Sequence, residues 1–481
     1  MSQEPKKMDR RNFIYAGLGA VAIIAGGSAV YLAMQGPVTT TATSTTTVPT
    51  TTTATSTTTA TSTTTATTTT TVESVEISFL RGTISTIQDQ WWVDTINKFE
   101  EEQKGRIKVK WIQTPWGSGA TMFEKLVSSI AAGNPPDTWW MNWPWFVDLI
   151  SMKSIENLDP YIDKWEGKDG INKSLYDCFT WLDGSLYSVP FQVATSQGWY
   201  RRDLFKDRGL PDHYPVNWDE FVECCKTLTY DGHYGYSLRG GPGGMSILFS
   251  YWYQNGAWWF NEDGDIAINS PEAIEATDWL FDLFRVHKVC PPSAPNDGYS
   301  QIVQNFTSGV CAMFDNHIGA LATLKEVLTE GDFMIGLPLT GKKQTSQLFP
   351  EGLCMASACK HKEAAWEWIK FLLRDDNQVT MTKTQGYSTV SKTAVEKLKP
   401  IYEAMPYPYY TRAYEAQAMG TPFPPIPKAG AFTNAEWMIG MQEVLLGKKT
   451  AKTYLDNDIA LLIQKAYKDI GIEKKLAYPI V

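Results

Sequence analysis

Thr39 to Thr71 is almost pure threonine with alanine, serine and one proline, built on the repeat Thr-Thr-Thr-Ala-Thr-Ser. A tract of this kind has nothing with which to form a core, so the fold must lie on one side of it. Its hydroxyls suit an O-glycosylated stalk. Fully extended it would reach about 110 Å at ~3.3 Å per residue, and as a flexible coil far less. Upstream, Phe13 to Met34 is a nearly uncharged apolar run long enough to cross a bilayer, and it follows Lys6, Lys7, Arg10 and Arg11. The basic cluster keeps the N-terminus inside. Asp9-Arg10-Arg11-Asn12-Phe13-Ile14 is like a twin-arginine export signal, and Ser28 to Ala33 offers a poor small-residue cleavage site. The expected organisation is a signal or membrane anchor at 1–38, a disordered stalk at 39–72 and a folded region at 73–481. An uncleaved anchor is expected, with a cleaved, secreted form as the alternative.

The 481 residues carry a formal net charge of −9, so no basic field is present to attract nucleic acid. The seven cysteines, at 178, 224, 225, 290, 311, 354 and 359, form no Cys-x-x-Cys pair, and an odd number cannot all bridge within one chain. Several stand in apolar runs as small hydrophobes. A bridge from Cys354 to Cys359 is compatible with their spacing.

From Val75 the pattern alternates strand and helix. Val75 to Leu80 reads as a strand, Gln88 to Gln103 as a helix with Trp92, Ile96 and Phe99 on one stripe, and Ile107 to Ile112 as a strand. Phe123 to Ala132 is a second helix and Asp137 to Met141 a third strand. This β-α-β-α-β order predicts an α/β fold with a mostly parallel sheet, whose ligands bind beyond the carboxyl ends of the strands. The third strand delivers Trp139, Trp140, Trp143 and Trp145. Trp139 and Trp140 read as strand residues on opposite faces, and Trp145 with Phe146 as the start of a buried helical stripe, which leaves Asn142 and Trp143 at the loop. Further on, Tyr187, Val189, Phe191 and Val193 alternate around Pro190, which marks an edge or crossing segment. Tyr234 to Leu238 reads as a strand of a second lobe, followed by Arg239-Gly240-Gly241-Pro242-Gly243-Gly244 and an aromatic helix from Ser246 to Gln254.

Ordered strings along the chain beyond Thr71 resemble the extracellular solute-binding proteins of ABC importers, in the sugar-binding group that includes maltose-binding protein. They include Ile130-Ala131-Ala132-Gly133-Asn134-Pro135-Pro136-Asp137, Leu186-Tyr187-Ser188-Val189-Pro190-Phe191, Tyr200-Arg201-Arg202-Asp203-Leu204-Phe205 and Asn217-Trp218-Asp219-Glu220-Phe221. Asn269-Ser270-Pro271-Glu272-Ala273, Ile335-Gly336-Leu337-Pro338-Leu339 and Ala364 to Leu372 continue the series. Phe306 to Met313 is similar to the family's Phe-x-x-Gly-Lys-x-Ala-Met, with Val310 in place of the lysine. Each string is weak alone; their order carries the resemblance. It implies a two-lobe, periplasmic-binding-protein-like fold of type II whose lobes are joined by a multi-segment hinge. Lobe 1 would take about 73–188 and about 352–390, lobe 2 about 194–350, and the C-terminal helices of 391–481 would pack on either lobe. The crossings would fall near Val189 to Ala194 and Phe349 to Met355. The implied protein is a monomer at the extracellular face of the membrane. It would capture a mono- or oligosaccharide and deliver it to permease subunits whose ATPase works in the cytoplasm.

Sugars offer C–H faces that stack on aromatic rings and hydroxyls that need planar polar partners. Candidate contacts are Trp116 after the second strand, Asn142 and Trp143 after the third, Gln192 and Ser196 at the first crossing, and Arg239 at a strand end. Asp315 and Asn316, with His317, follow the Ala312-Met313 strand; Glu351 lies at the second crossing, and Trp437 on a late helix near Asn434. Core roles compete with these. Trp252, Trp258 and Trp259 sit at helical or turn spacing, Asp315 is equally placed to cap a helix, and the Arg239-Gly240-Gly241 loop is either an anion-binding nest or a flexible turn, with Arg239 equally able to pair with a carboxylate. Gly336 to Lys343 fits Gly-x4-Gly-Lys, but Lys343 stands where a P-loop needs Ser or Thr. There is no His-Glu-x-x-His, no Gly-x-Ser-x-Gly and no metal-spaced Cys/His cluster, so neither metal nor cofactor is expected and no catalysis is indicated. A glycoside-acting enzyme is the alternative from another class; a peptide, polyamine or anion ligand is the alternative within the fold.

Overall fold

Two strand sets with different neighbours organise the chain, and each collects its own apolar core. The computed structural model describes residues 74–115, 120–429 and 436–480, all within one compact unit, Thr71–Val481. The apolar run at Phe13 to Met34, the threonine tract, Trp116 and Asn434 lie outside the described residues. Among those described, no helix is long and apolar enough to cross a membrane.

The first sheet begins as its sequence pattern requires. β1 (Val75–Thr83) pairs in parallel with β2 (Ile107–Pro115) and with β3 (Thr138–Asn142), and helices Thr86–Glu102 and Ala120–Ala131 make the two connections. Ser85 accepts a hydrogen bond from the Gln88 backbone N–H and so starts the first helix, which turns Trp91, Trp92, Thr95, Ile96 and Phe99 inward. Trp368, on helix Lys362–Leu372, closes that layer, with its ring 5.6 Å from Phe79 and 5.1 Å from Phe99. The parallel pattern stops at β3. β9 (Ser346–Met355) runs antiparallel to both β3 and β4 (Val189–Thr195), and the two-residue β10 (Ser388–Thr389) runs antiparallel to β4. The expectation of a mostly parallel sheet therefore holds only for its N-terminal half, because β4 and β9 are the segments that leave for the other lobe. Pro190 is accommodated because β10 pairs only with Gln192 and Val193, and the β4–β9 register shifts between Pro190 and Gln192.

The second sheet, in the order β6-β7-β5-β8, is built from β5 (Gln197–Arg201), β6 (Tyr234–Ser237), β7 (Cys311–Asn316) and β8 (Phe333–Ile335). Ser196 alone separates β4 from β5, so the chain changes sheet within one residue. The Ser196 N–H donates to the Gln347 carbonyl at 3.1 Å, and the Ser346 hydroxyl donates back to the Ser196 carbonyl. The second crossing therefore falls at the start of β9, earlier than Phe349. A third pass comes from β11 (Gly420–Pro422), which pairs in parallel with Ser346 to Leu348.

Two apolar cores result. One gathers buried residues between Ile77 and Ala194 and between Leu348 and Val390; the other gathers those between Trp199 and Leu339 and between Tyr409 and Tyr467. Helices from Tyr409 onward thus belong to the second lobe. All seven cysteines are free thiols, so Cys354 and Cys359 are not bridged.

Candidate functional site

A cavity of about 450 Å³ lies between the two cores, where the carboxyl end of β3, the crossing at Ser196 and the carboxyl end of β7 converge. Register builds its floor. Asn142 on β3 faces Glu351 on β9, and Glu351 faces Gln192 on β4, which in turn faces Thr389 on β10. Directly paired residues share a face, so a row of polar side chains crosses four strands. The bulge after Pro190 is what brings Gln192 opposite Glu351, and the Gln192 amide donates to the Glu351 carboxyl. Asn142 and Glu351 line the cavity; Gln192, only 1% exposed, stands behind Glu351.

Burial dominates the Glu351 carboxyl and pushes its pKa up to about 8, although Arg81 and the Gln192 amide both favour the charged form. Arg81 is itself buried, with its guanidinium 4.3 Å from the Trp140 ring centroid, and burial lowers its pKa against the opposing pull of Tyr387 and Glu351.

The opposite wall belongs to the second lobe. Asp315, near the end of β7, accepts hydrogen bonds from the hydroxyls of Tyr251 at 2.6 Å, Tyr236 at 2.8 Å and Tyr214 at 3.4 Å. Burial raises its pKa, and the three hydroxyls oppose that rise. Tyr214 reaches it through a slot left by Gly198 and Gly336, where an added Cβ would strike the tyrosine ring. Asp315 does not cap a helix: the next helix, Ala320–Val327, starts from Gly319 without a side-chain cap. Asn316 accepts from the His317 backbone N–H, and the His317 Nδ1 accepts from Gly319 at 3.1 Å. Burial, aided by Arg239, holds the His317 pKa down at about 4.

The lobes touch on both sides of this space. Trp143 stands in the turn Trp143–Trp145 after β3, yet packs against the second core, its ring centroid 4.0 Å from that of Phe423 and 6.1 Å from that of Phe349. Elsewhere Tyr387, from the first core, stacks on His317 at 5.4 Å, and a Cβ on Gly386 would lie 3.5 Å from the Gly319 Cα. Aromatic rings therefore flank a cavity whose floor and far wall are polar.

Of the residues singled out in the sequence, Asn142, Trp143, Ser196, Arg239, Asp315, Asn316 and Glu351 line this cavity. Trp437 does not. It is fully buried on helix Glu436–Leu445, its centroid 5.4 Å from Phe249 and 5.6 Å from Trp259, because Trp437, Met441 and Val444 form the helix's inward stripe. Trp252 and Trp259 are core residues of the same cluster, whereas Trp258, in the turn between them, is exposed. Gln88, Tyr299 and Tyr387 also line the cavity and carry no local sequence mark; only the fold brings them there.

Two α/β lobes joined by several crossings around a polar and aromatic cavity define a two-lobe solute-binding fold. The chain belongs to the family of bacterial extracellular solute-binding proteins, whose pattern it matches over residues 84–379. It is similar in structure to an ABC substrate-binding protein from Listeria monocytogenes in complex with cycloalternan, with a TM-score of 0.72 and 22% identity over 83% of this chain and all of that one. Among curated relatives, it is 28% identical to a mannitol-binding protein of Pseudomonas aeruginosa over 194 residues, 38% of this chain and 44% of that protein. It is 27% identical to the sn-glycerol-3-phosphate-binding periplasmic protein UgpB of Brucella melitensis over 314 residues, 58% of this chain and 66% of that protein. The chain thus spans less than two thirds of either relative's length. The family resemblance and the two-lobe α/β fold expected from the sequence both stand.

Proposed function

We propose that the chain captures a sugar or sugar-like polyol in the interlobe cavity and delivers it to an ABC permease at the outer face of the cell membrane. The observation that carries this reading is the lining itself. Trp143, Tyr299 and Tyr387 offer ring faces, while Gln88, Asn142, Ser196, Asn316 and Glu351 offer donors and acceptors around a volume of about 450 Å³, a size suited to a small saccharide. Membership of an extracellular solute-binding family and the sugar and polyol ligands named for its relatives support it.

In this reading residues 1–38 anchor a monomer and 39–72 space it from the bilayer, so that the loaded, closed form stays near its permease. Deleting 1–38 should move the protein from the membrane fraction to the soluble one; equal partition of both forms would remove the tether from the account.

The solute assignment is tested by thermal shift across mono-, di- and trisaccharides and sugar alcohols. A ligand present at a hundred times its Kd stabilises the folded chain by about 2.7 kcal/mol. At least one such compound should raise Tm, and Trp143→Ala should weaken its binding about tenfold or more. A peptide or polyamine shifting Tm while no sugar, polyol or acidic derivative of either does so would sink the reading.

A further inference from the structure

Among the described residues that line the cavity, Arg239 is the one arginine or lysine, and no carboxylate forms an ion pair with it. Arg239 follows β6 and lines the cavity. Its Nε donates to the Pro242 carbonyl at 2.7 Å, and its guanidinium packs against Gly243, where an added Cβ would collide with it. Gly243 can serve there because it adopts φ of +84°, a conformation glycine accepts without cost. The guanidinium is thereby held in one orientation. Among the described residues no carboxylate forms an ion pair with it, and no hydrogen bond to either Nη is present. The partly buried Arg201, Arg202 and Arg285 each answer an aspartate. Burial brings the Arg239 pKa down to about 10, so the side chain remains a cation at neutral pH. The side chain is half-buried, so the cavity takes away part of its hydration and no protein carboxylate replaces it.

The groups beside it have the same sense. Helix Gly244–Gln254 begins at Gly243 with no side chain capping its first turn, and Gly243, Met245 and Ser246 face the cavity together with Arg239. The positive end of that helix therefore opens onto the same space. His317 also lines it. Because Nδ1 accepts the Gly319 N–H, the ring's proton sits on Nε2, and the neutral imidazole offers a donor. The acids do not cancel Arg239: the Asp315 carboxylate is engaged by three tyrosine hydroxyls, Glu351 sits on the opposite lobe with Arg81, and Glu326 is exposed at the rim.

We propose that the solute carries an oxyanion, a carboxylate or a phosphate on a sugar or polyol frame, and that Arg239 with the first turn of helix Gly244–Gln254 receives it. This deepens the sugar reading and rests on it for the frame of the ligand. The polar row on β3, β9 and β4 would face the hydroxyls, and the second-lobe wall would face the charge.

The test is calorimetric titration of the full chain with matched sets: galactose, galacturonate and galactose 6-phosphate; glycerol and glycerol 3-phosphate; neutral and acidic disaccharides; and inorganic phosphate alone. At least one acid should bind thirtyfold or more tighter than its neutral counterpart. Arg239→Gln should erase that difference, while Arg239→Lys keeps part of it, with unfolding midpoints checked for each variant. The carboxylate and phosphate members of each set identify which oxyanion is recognised. The NMR titration of His317 adds a second readout: a bound anion should raise its pKa, and a neutral sugar should not. A neutral sugar that binds as tightly as its acid, with affinity unchanged in Arg239→Gln, overturns the oxyanion while leaving the sugar reading in place. Phosphate binding through Arg239 with no response to any sugar or polyol derivative supports the oxyanion and overturns the sugar frame. Silence from every compound overturns both.

Discussion

Two carboxyl groups face the cavity from opposite lobes, both buried, and the fold treats them differently. Asp315 is surrounded by donors: hydroxyls from residues 101, 79 and 64 positions away converge on it. Glu351 receives one amide, and burial outweighs that bond and the nearby Arg81, leaving its pKa near 8. A carboxylate has about four acceptor positions. At Asp315 most are used by the second lobe to tie β6, β7 and helix Gly244–Gln254 together. At Glu351 most are left over, on a side chain that exchanges a proton close to neutral pH. The comparison separates a cavity residue that serves the fold from one available to the solute.

Removing the more heavily engaged group should do the greater damage. Asp315→Ala leaves the hydroxyls of Tyr214, Tyr236 and Tyr251 without their acceptor, and urea unfolding should show a loss of about 3–5 kcal/mol, given ~1–3 kcal/mol for each buried polar group left unsatisfied and partial relief from water. A loss below about 1 kcal/mol would mean that the tyrosines do not depend on it and that Asp315 is free to serve the solute.

Glu351 prefers to be protonated in the folded chain, with a pKa near 8 against the ordinary 4.5, so the folded state binds the proton more tightly than the unfolded one. Its contribution is fully present below about pH 4.5 and is lost as pH rises to 8, by as much as about 5 kcal/mol at 1.36 kcal/mol per pKa unit. Glu351→Gln keeps the shape without the titration, so stability measured from pH 5 to pH 8 should fall more steeply in the wild type than in the variant. Parallel curves would show that the carboxyl is better solvated than its burial implies.

A smaller effect should follow from Gln192→Leu. The amide favours the charged form of Glu351, so its loss should push that pKa higher and extend the falling part of the stability curve beyond pH 8, with a cost near 1 kcal/mol at neutral pH. A downward shift of the pKa would contradict the role given to the pair.

How far this contrast was legible in the sequence depends on distance along the chain. The β-α-β-α-β run and the loop at Asn142 and Trp143 were readable from local periodicity, because side-chain direction within an element follows from its geometry, whereas the strand that carries Asp315 was read through the family resemblance and taken to end before it. The row from Asn142 through Glu351 to Gln192 depends on a bulge beside Pro190, and the tyrosine cage depends on contacts between three separate elements; neither leaves a local mark. Trp437 shows the converse. Its spacing to Met441 and Val444 was the signal of a buried stripe, and nearby Asn434 drew attention to a sugar-binding pattern instead.

The central claim is that the solute lies between the lobes, with Glu351 on one side and Asp315 and Arg239 on the other. A crystal structure of the full-length or stalk-free chain with a compound that raises its Tm tests this most directly. The account predicts solute density touching both Asn142 or Glu351 from the first lobe and Arg239 or Asn316 from the second, with Trp143 against its edge or face. Density confined to the separate 360 Å³ pocket bordered by Tyr200, Arg202 and Pro338, with the interlobe cavity unoccupied, would contradict it.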